Sequence, residues 1–219
     1  MKVCTDACLF GAWVGDKISS GKITPKNILD IGCGTGLLSL MLAPKSIANI
    51  DAVEIDDAAF LQASENIALS SWRDRVKAYH QSIIDFHSME KYDLIISNPP
   101  FYENDLLSAD EGRNKAMHDA ALNFENLSRA IKNNLSESGI AAVLLPYHRV
   151  PAFEKALNNE DLFISEKINV AHSPKHPFFR SMLMIGFEKV NMQENNMVIR
   201  DEQNQYSKDF NFLLTDYYL

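Results

Sequence analysis

The sequence predicts a doubly wound α/β fold. Short apolar strands alternate with helical patterns, a glycine-rich turn sits at the first strand-to-helix junction, and two late strands are joined without a helix. Residues 27–31 (NILDI) read as a buried strand followed by a helix at 37–43. Residues 50–55 read as the next strand, and a helix from about 57 to 71 places Ala59, Ala63 and Ile67 on one face. Strands follow at 76–80 and 92–97, then a helix at 123–135, a strand at 139–146 and a helix near 149–159. Strands at 162–171 and 180–188 come next. Crossovers of this kind are right-handed. The last strand follows a loop, so it is expected to lie antiparallel at the sheet edge.

No repeat or long linker divides the chain, so residues 1–219 read as one domain, with a core at about 24–188. In 189–219 the pattern predicts a small edge strand at 197–201. Ser207 should cap a final helix with Phe210, Leu213, Leu214 and Tyr217 on one face.

Hydrophobic residues make up 46% of the 219 and charged residues 23%, which excludes wholesale disorder. A chain of this length buries most of its apolar surface without disulfides or metals. Cys4, Cys8 and Cys33 do not form a disulfide framework, and no histidine stands at ligand spacing beside them, so no metal is expected. No apolar run nears the ~20 residues of a membrane helix, and Met1 is not followed by a signal-peptide pattern, so a cytoplasmic location away from membranes is expected. A net charge of −8 argues against unspecific polyanion binding. Any nucleic acid must meet a local basic patch.

Asp30-Ile-Gly32-Cys33-Gly34-Thr-Gly36 occupies the turn from the first strand into the first helix, where glycines let the backbone approach a ligand closely. A dinucleotide fingerprint is G-x-G-x-x-G, whereas this spacing is G-x-G-x-G. A carboxylate two residues before the first glycine repels a diphosphate and suits a cationic, amino-acid-bearing cofactor. The loop therefore points to S-adenosylmethionine, with Glu54 at the end of the second strand accepting from two ribose hydroxyls. At the end of the third strand, Ser82 or Asp85 is the candidate acceptor for the cofactor's adenine amine. Asp85 could equally cap a helix.

Asn98-Pro99-Pro100-Phe101 follows the fourth strand at the sheet's carboxyl end, where open α/β folds bind ligands. Taken alone, it could be only a rigid turn. Its chemistry suggests more. The lone pair of an aryl or amide nitrogen is delocalised, so a site that methylates it needs two acceptors for the two N–H hydrogens. The Asn98 side-chain carbonyl and the Pro99 backbone carbonyl can serve, on a frame stiffened by two prolines. Phe101 offers a face for stacking, worth ~1–3 kcal/mol for a base. A sulfonium methyl donor requires no strong general base.

The glycine loop and Asn-Pro-Pro-Phe together resemble class I amino-methyltransferases acting on adenine N6 or glutamine amides. Lys2-Val-Cys-Thr5-Asp6-Ala-Cys-Leu9-Phe-Gly11-Ala-Trp13 and Arg113-Asn-Lys-Ala-Met-His118 narrow the resemblance to bacterial tRNA1(Val) (adenine(37)-N6)-methyltransferases, strongly over about residues 2–150. That family usually carries a short segment ahead of the first motif, where this chain begins, and tends to have an acid where Ser82 stands. The resemblance implies a Rossmann-like methyltransferase sheet. It also implies cofactor binding by Thr5, Asp6, Asp30, Gly32, Cys33, Gly34, Gly36, Glu54, Ile55, Ser82 or Asp85, and Asn98, with the target adenine held by Asn98 to Phe101. It implies tRNA as partner of a monomeric enzyme.

Lys175, His176 and Arg180, interleaved with Phe178 and Phe179, form one candidate RNA patch, and Arg113, Lys115 and His118 a second. The 172–180 loop could also be merely a solvated basic loop. The rival enzyme reading is a protein glutamine methyltransferase, whose helical N-terminal domain has no room before Asp30. A catalytically silent RNA binder is disfavoured by the intact motifs. No serine-hydrolase elbow is present.

Overall fold

The computed structural model describes residues 4–99 and 123–218. An eight-stranded mixed sheet runs through them in the order β3-β2-β1-β4-β5-β7-β6-β8. Its strands are β1 (Asn27–Ile31), β2 (Asn49–Glu54), β3 (Val76–His80), β4 (Tyr92–Ser97), β5 (Leu135–Pro146), β6 (Phe163–Ala171), β7 (Phe178–Gly186) and β8 (Gln193–Val198). The described helices are α1 (Thr5–Ser19), α2 (Leu37–Leu42), α3 (Asp57–Leu69), α4 (Phe124–Asn134), α5 (Val150–Asn158) and α6 (Lys208–Tyr218), with two short 3₁₀ turns.

Both sheet faces are covered, so the inner strands are largely apolar runs whose residues alternate between two cores. Ile28, Leu94, Ile96, Ala142 and Leu144 pack with α1, α2 and α6. Leu29, Ile31, Ile95, Val143 and Leu145 pack with α4 and α5.

The expected elements are present, with shifted boundaries and two differences in arrangement. The first concerns the strand expected to lie antiparallel at the edge. β7 is antiparallel to both neighbours, yet it is inserted between β5 and β6 rather than placed at the edge. β6 therefore runs in the same direction as β5, and β8, expected at 197–201, pairs with it in parallel from Gln193 and closes that side. An inserted β7 buries its run Ser181–Ile185 on both sides; an edge would have exposed a row of unpaired backbone groups.

The second difference is α1, a helix with no counterpart in the sequence pattern. Every residue from Ala7 to Gly15 is buried, so the helix has no polar stripe to give a 3.6 period. Two glycines inside it also lower its intrinsic propensity. Both serve close approach. A Cβ on Gly11 would lie 2.8 Å from Met41 Sδ and 3.1 Å from Leu38 Cδ2, and one on Gly15 3.3 Å from Lys45 Cγ. The advancing pairs, Gly11 with Leu38 and Gly15 with Leu42, mean that α1 and α2 run side by side in the same direction. The first turn of α1 is thus level with the glycine loop that starts α2.

Ion pairs tie α1 to the sheet at both ends. Lys17 in its last turn meets Glu166 near the start of β6 at 2.6 Å, and Asp6 in its first turn meets Arg180 of β7 at 2.7 Å. Arg180 lies opposite Val170, near the carboxyl end of β6, so α1 begins at the sheet's carboxyl edge.

The C-terminal helix begins as its sequence requires. Ser207 Oγ accepts from Phe210 N at 3.1 Å and donates to Val198 O at 2.6 Å, joining the cap to β8. Phe210 and Leu214 enter the α1-side core, with Leu213 and Tyr217 packed against it. Ser207→Ala removes both hydrogen bonds and is expected to destabilise the protein by about 1–2 kcal/mol. Urea denaturation should show a lower midpoint at unchanged slope.

Candidate active site

Three strand ends converge at the carboxyl edge of the sheet. At the end of β1, Gly32, Gly34 and Gly36 have φ of 67°, 58° and 79°, left-handed values that a side chain tolerates poorly. The loop's amides are spent internally: Gly32 N and Cys33 N both donate to Val53 O, and Gly36 N donates to Cys33 O. Beyond Gly32 the space is open, since a Cβ there would meet nothing within 4 Å. Cys33, expected among the cofactor-binding residues, turns its side chain inward instead, onto Ala52 and Ala63. Burial, followed by the nearby Asp30 and Glu54 carboxyls, pushes its thiol far above the ordinary range, so it is an inert packing group.

Glu54 ends β2 and is held by three backbone donors. Oε2 accepts from Gly34 N at 2.8 Å, and Oε1 accepts from Ile55 N and Asp56 N at 2.9 Å each. Its position is therefore fixed by the chain before any ligand arrives; Oε1 already takes two donors, and Oε2 retains a lone pair for a further one. Ile55 follows it with a half-exposed side chain, and Ile84 is exposed to a similar extent just beyond the neighbouring β3. Sequence reading missed Ile84. An exposed branched aliphatic at the carboxyl edge was its only signal.

Asp30 lies in β1 with no exposure to solvent. Oδ2 accepts from Ser39 N at 3.1 Å and from Ser39 Oγ at 2.7 Å, whereas Oδ1 is buried without a partner among the described residues. Burial raises its pKa to about 7; the two Ser39 hydrogen bonds oppose the rise, and the Glu54 charge adds to it.

Next in the sheet, β4 is pinned to β1 at its last residue: Ser97 Oγ donates to Ile31 O at 2.8 Å. Half-buried Asn98 and buried Pro99 follow directly, beside the glycine loop. Pro100, Phe101, Arg113, Lys115 and His118 lie outside the described residues. Past β3, Ser82 Oγ is used locally, accepting from Ile84 N at 3.2 Å, and Asp85 stands exposed after that turn.

Comparison with known proteins gives this geometry a family. Residues 17–123 match the model of the methyltransferase small domain. A tRNA1(Val) (adenine(37)-N6)-methyltransferase of Dyadobacter fermentans is 38% identical, with 100% of this chain and 91% of that protein covered. One from Trichodesmium erythraeum is 39% identical at the same coverage. The chain belongs to this family. Its fold is also that of a predicted O-methyltransferase from Agrobacterium tumefaciens, with a TM-score of 0.69, 15% identity and 95% of each chain covered.

The basic segment expected to meet RNA lies on the same edge. Because β6 is parallel to β5, the loop after Ala171 emerges at the same carboxyl edge as the end of β4, with β5 and β7 between them. Lys175 and His176 are exposed, His176 Nδ1 is 2.8 Å from Ser173 Oγ, and His172 stacks on Phe179 at 4.0 Å. Tyr147, at the end of β5, is 41% exposed and packs on Phe178 with ring centres 5.4 Å apart. It was not singled out in the sequence, because only the β5–β7 pairing brings it to Phe178. Arg180, expected as a phosphate contact, donates from its Nε to Asp6 Oδ2. Thr5 is exposed at the start of α1.

The buried Asp30 sets a pH dependence. A carboxyl raised from 3.8 to about 7 in the folded state holds a proton that the unfolded chain has lost, so its contribution to stability is full below about pH 4 and is lost as pH rises through 7. The melting temperature of Asp30→Asn minus that of the wild type should therefore be more positive at pH 8 than at pH 5. A change of several degrees is expected, at roughly 2–4 °C per kcal/mol for a chain of this size. Thermal scans of ligand-free protein at the two pH values test it.

Proposed function

We propose that this protein transfers a methyl group from S-adenosylmethionine to N6 of an adenine in tRNA, adenine 37 of valine tRNA as in its relatives. The observation that carries the reading is the placement of Asn98-Pro99 beside the glycine loop, at one sheet edge with Glu54 and Asp30.

The residues fit the cofactor. Glu54, fixed by three amides, presents the free lone pair of Oε2 to a ribose hydroxyl. The unpartnered Oδ1 of Asp30 is the acceptor left for a cationic amino-acid group, and a nearby cation pulls its proton off. Ile55 and Ile84 offer apolar surface to an adenine ring, with Asp85 as the free acceptor for its amine, since Ser82 is occupied locally. Thr5 and Asp6 border the same crevice from α1. When bound, S-adenosylmethionine supplies an electrophilic methyl group whose leaving group is a neutral thioether.

Asn98 and Pro99 do the rest. The Asn98 side-chain carbonyl and the Pro99 backbone carbonyl accept the two hydrogens of the adenine amine. This draws the nitrogen lone pair out of the ring system and toward the methyl group. The N–C bond forms as the C–S bond breaks, and the proton then released from nitrogen passes to water. Ser97, hydrogen-bonded to β1, keeps these acceptors in place before substrate arrives, so little reorganisation is needed.

The base must leave its stack to reach this site, which costs least in a single-stranded loop. Tyr147 and Phe178 offer ring faces to neighbouring bases, and Lys175 and His176 offer charge to phosphates. Arg113, Lys115 and His118, together with Pro100 and Phe101, complete the proposed surface. A tRNA substrate places the enzyme in the cytoplasm.

Asn98→Ala should lower kcat on tRNA by roughly 10²–10³ and leave calorimetric S-adenosylmethionine affinity nearly unchanged. Near-wild-type turnover would reduce the Asn-Pro-Pro segment to a turn. Lys175→Ala should weaken tRNA binding and reduce the log–log salt slope by about one unit. A filter-binding series from low to high salt tests this, and an unchanged slope removes Lys175 from the interface.

A further inference from the structure

The ion pair between Asp6 and Arg180 joins residues 174 positions apart. Both side chains are largely shielded, at 16% and 27% exposure. Gly11 of α1 packs on Leu38 just past the glycine loop, and Asp6 lies five residues earlier, about 7–8 Å further along the helix toward the carboxyl edge. The first turn of α1 therefore overhangs the crevice, with exposed Thr5 at its tip. Asp6 accepts from Ala7 N through Oδ1 and from Arg180 Nε through Oδ2, so one carboxylate links the helix turn to β7. Arg180 is itself supported from below. Its guanidinium lies 5.7 Å over the Phe179 ring, which stacks in turn on His172.

We propose that Arg180 is a positioning residue. Its ion pair with Asp6 clasps the first turn of α1 to the sheet and thereby sets how tightly the crevice holds S-adenosylmethionine. This rests on the site reading given above. A buried helix body, Ala7 to Ile18, needs no clasp for its own stability, since its apolar surface is already packed. Only the overhanging turn does. Without the pair, Asp6 is left as a largely shielded carboxylate with its cation removed, in a chain that is already acidic, and the turn is free to swing toward solvent. The same pairing explains why an arginine placed beside two phenylalanines in a basic loop is not primarily a phosphate contact.

The test uses the full chain, with Arg180→Gln, Asp6→Asn, the double variant and Arg180→Lys. Hydrogen exchange of the amides of residues 5–10, measured without ligand or tRNA, should be about tenfold faster in Arg180→Gln. Unchanged exchange overturns the clasp whatever the protein's activity. The KM for S-adenosylmethionine should rise about three- to tenfold in each single variant, by more than kcat falls. It should rise no further in the double variant and return partly in Arg180→Lys. The tRNA salt slope should stay at the wild-type value. Additive effects, faster exchange with an unchanged KM, or a slope lowered by about one unit would each overturn the positioning role, the last by making Arg180 a phosphate contact. Wild-type protein that fails to bind S-adenosylmethionine in calorimetry overturns the site reading and the positioning role with it, leaving exchange to report on the clasp alone.

Discussion

A carboxyl group cut off from solvent stands in the central strand β1, and much of the surrounding arrangement follows from accommodating it. Burial of a charge is costly unless it is paired, and Asp30 is only half provided for: Ser39 satisfies one oxygen and nothing among the described residues satisfies the other. The ligand-free fold therefore keeps it near the middle of its titration, with a pKa of about 7. A cation arriving at the crevice would relieve the strain, so part of the cost of folding becomes part of the driving force for binding. Ser39 lies on α2, directly after the glycine loop. The same short segment thus turns the chain, starts the helix and supplies the proton donors.

Glu54 solves the opposite problem. Three backbone amides hold it rigid, one of them from Gly34 on the adjacent loop. The loop's left-handed glycines are what aim that amide at β2. Two carboxylates on neighbouring strands thus have different surroundings: one oxygen of Asp30 has no donor among the described residues, whereas Glu54 is supplied with three backbone amides.

The site's other requirement is that a chain of net charge −8 accept a polyanion. The carboxyl edge answers through topology. β7, inserted antiparallel between β5 and β6, brings Tyr147, Phe178 and the Lys175–His176 loop to the same carboxyl edge as the end of β4. It also brings Arg180, which Asp6 takes for the helix above it. Local positive charge on that edge is accordingly smaller than the count of basic residues implies, and ring faces supply the remainder of the surface.

The elements legible in the sequence were those whose signal is local. Strands buried on both sides read as apolar runs, three closely spaced glycines mark a left-handed turn, an asparagine and proline mark the end of β4, and Ser207 marks a helix start. Together these determined the fold class, the candidate crevice and the family resemblance. Tertiary structure alone decided the rest, because the deciding contacts are far apart in the chain. α1 lacks a polar face and contains two glycines, and becomes a helix by packing on α2. The order β5-β7-β6 depends on satisfying strand edges, which no local pattern encodes. Cys33 points into the core because its side chain finds Ala52 and Ala63 there, although it sits within the binding motif. Arg180 is drawn to Asp6 because a helix whose Asp6 lies 174 residues earlier in the chain ends up above it. A charge's role depends on its nearest partner in space, and sequence distance carries no information about that.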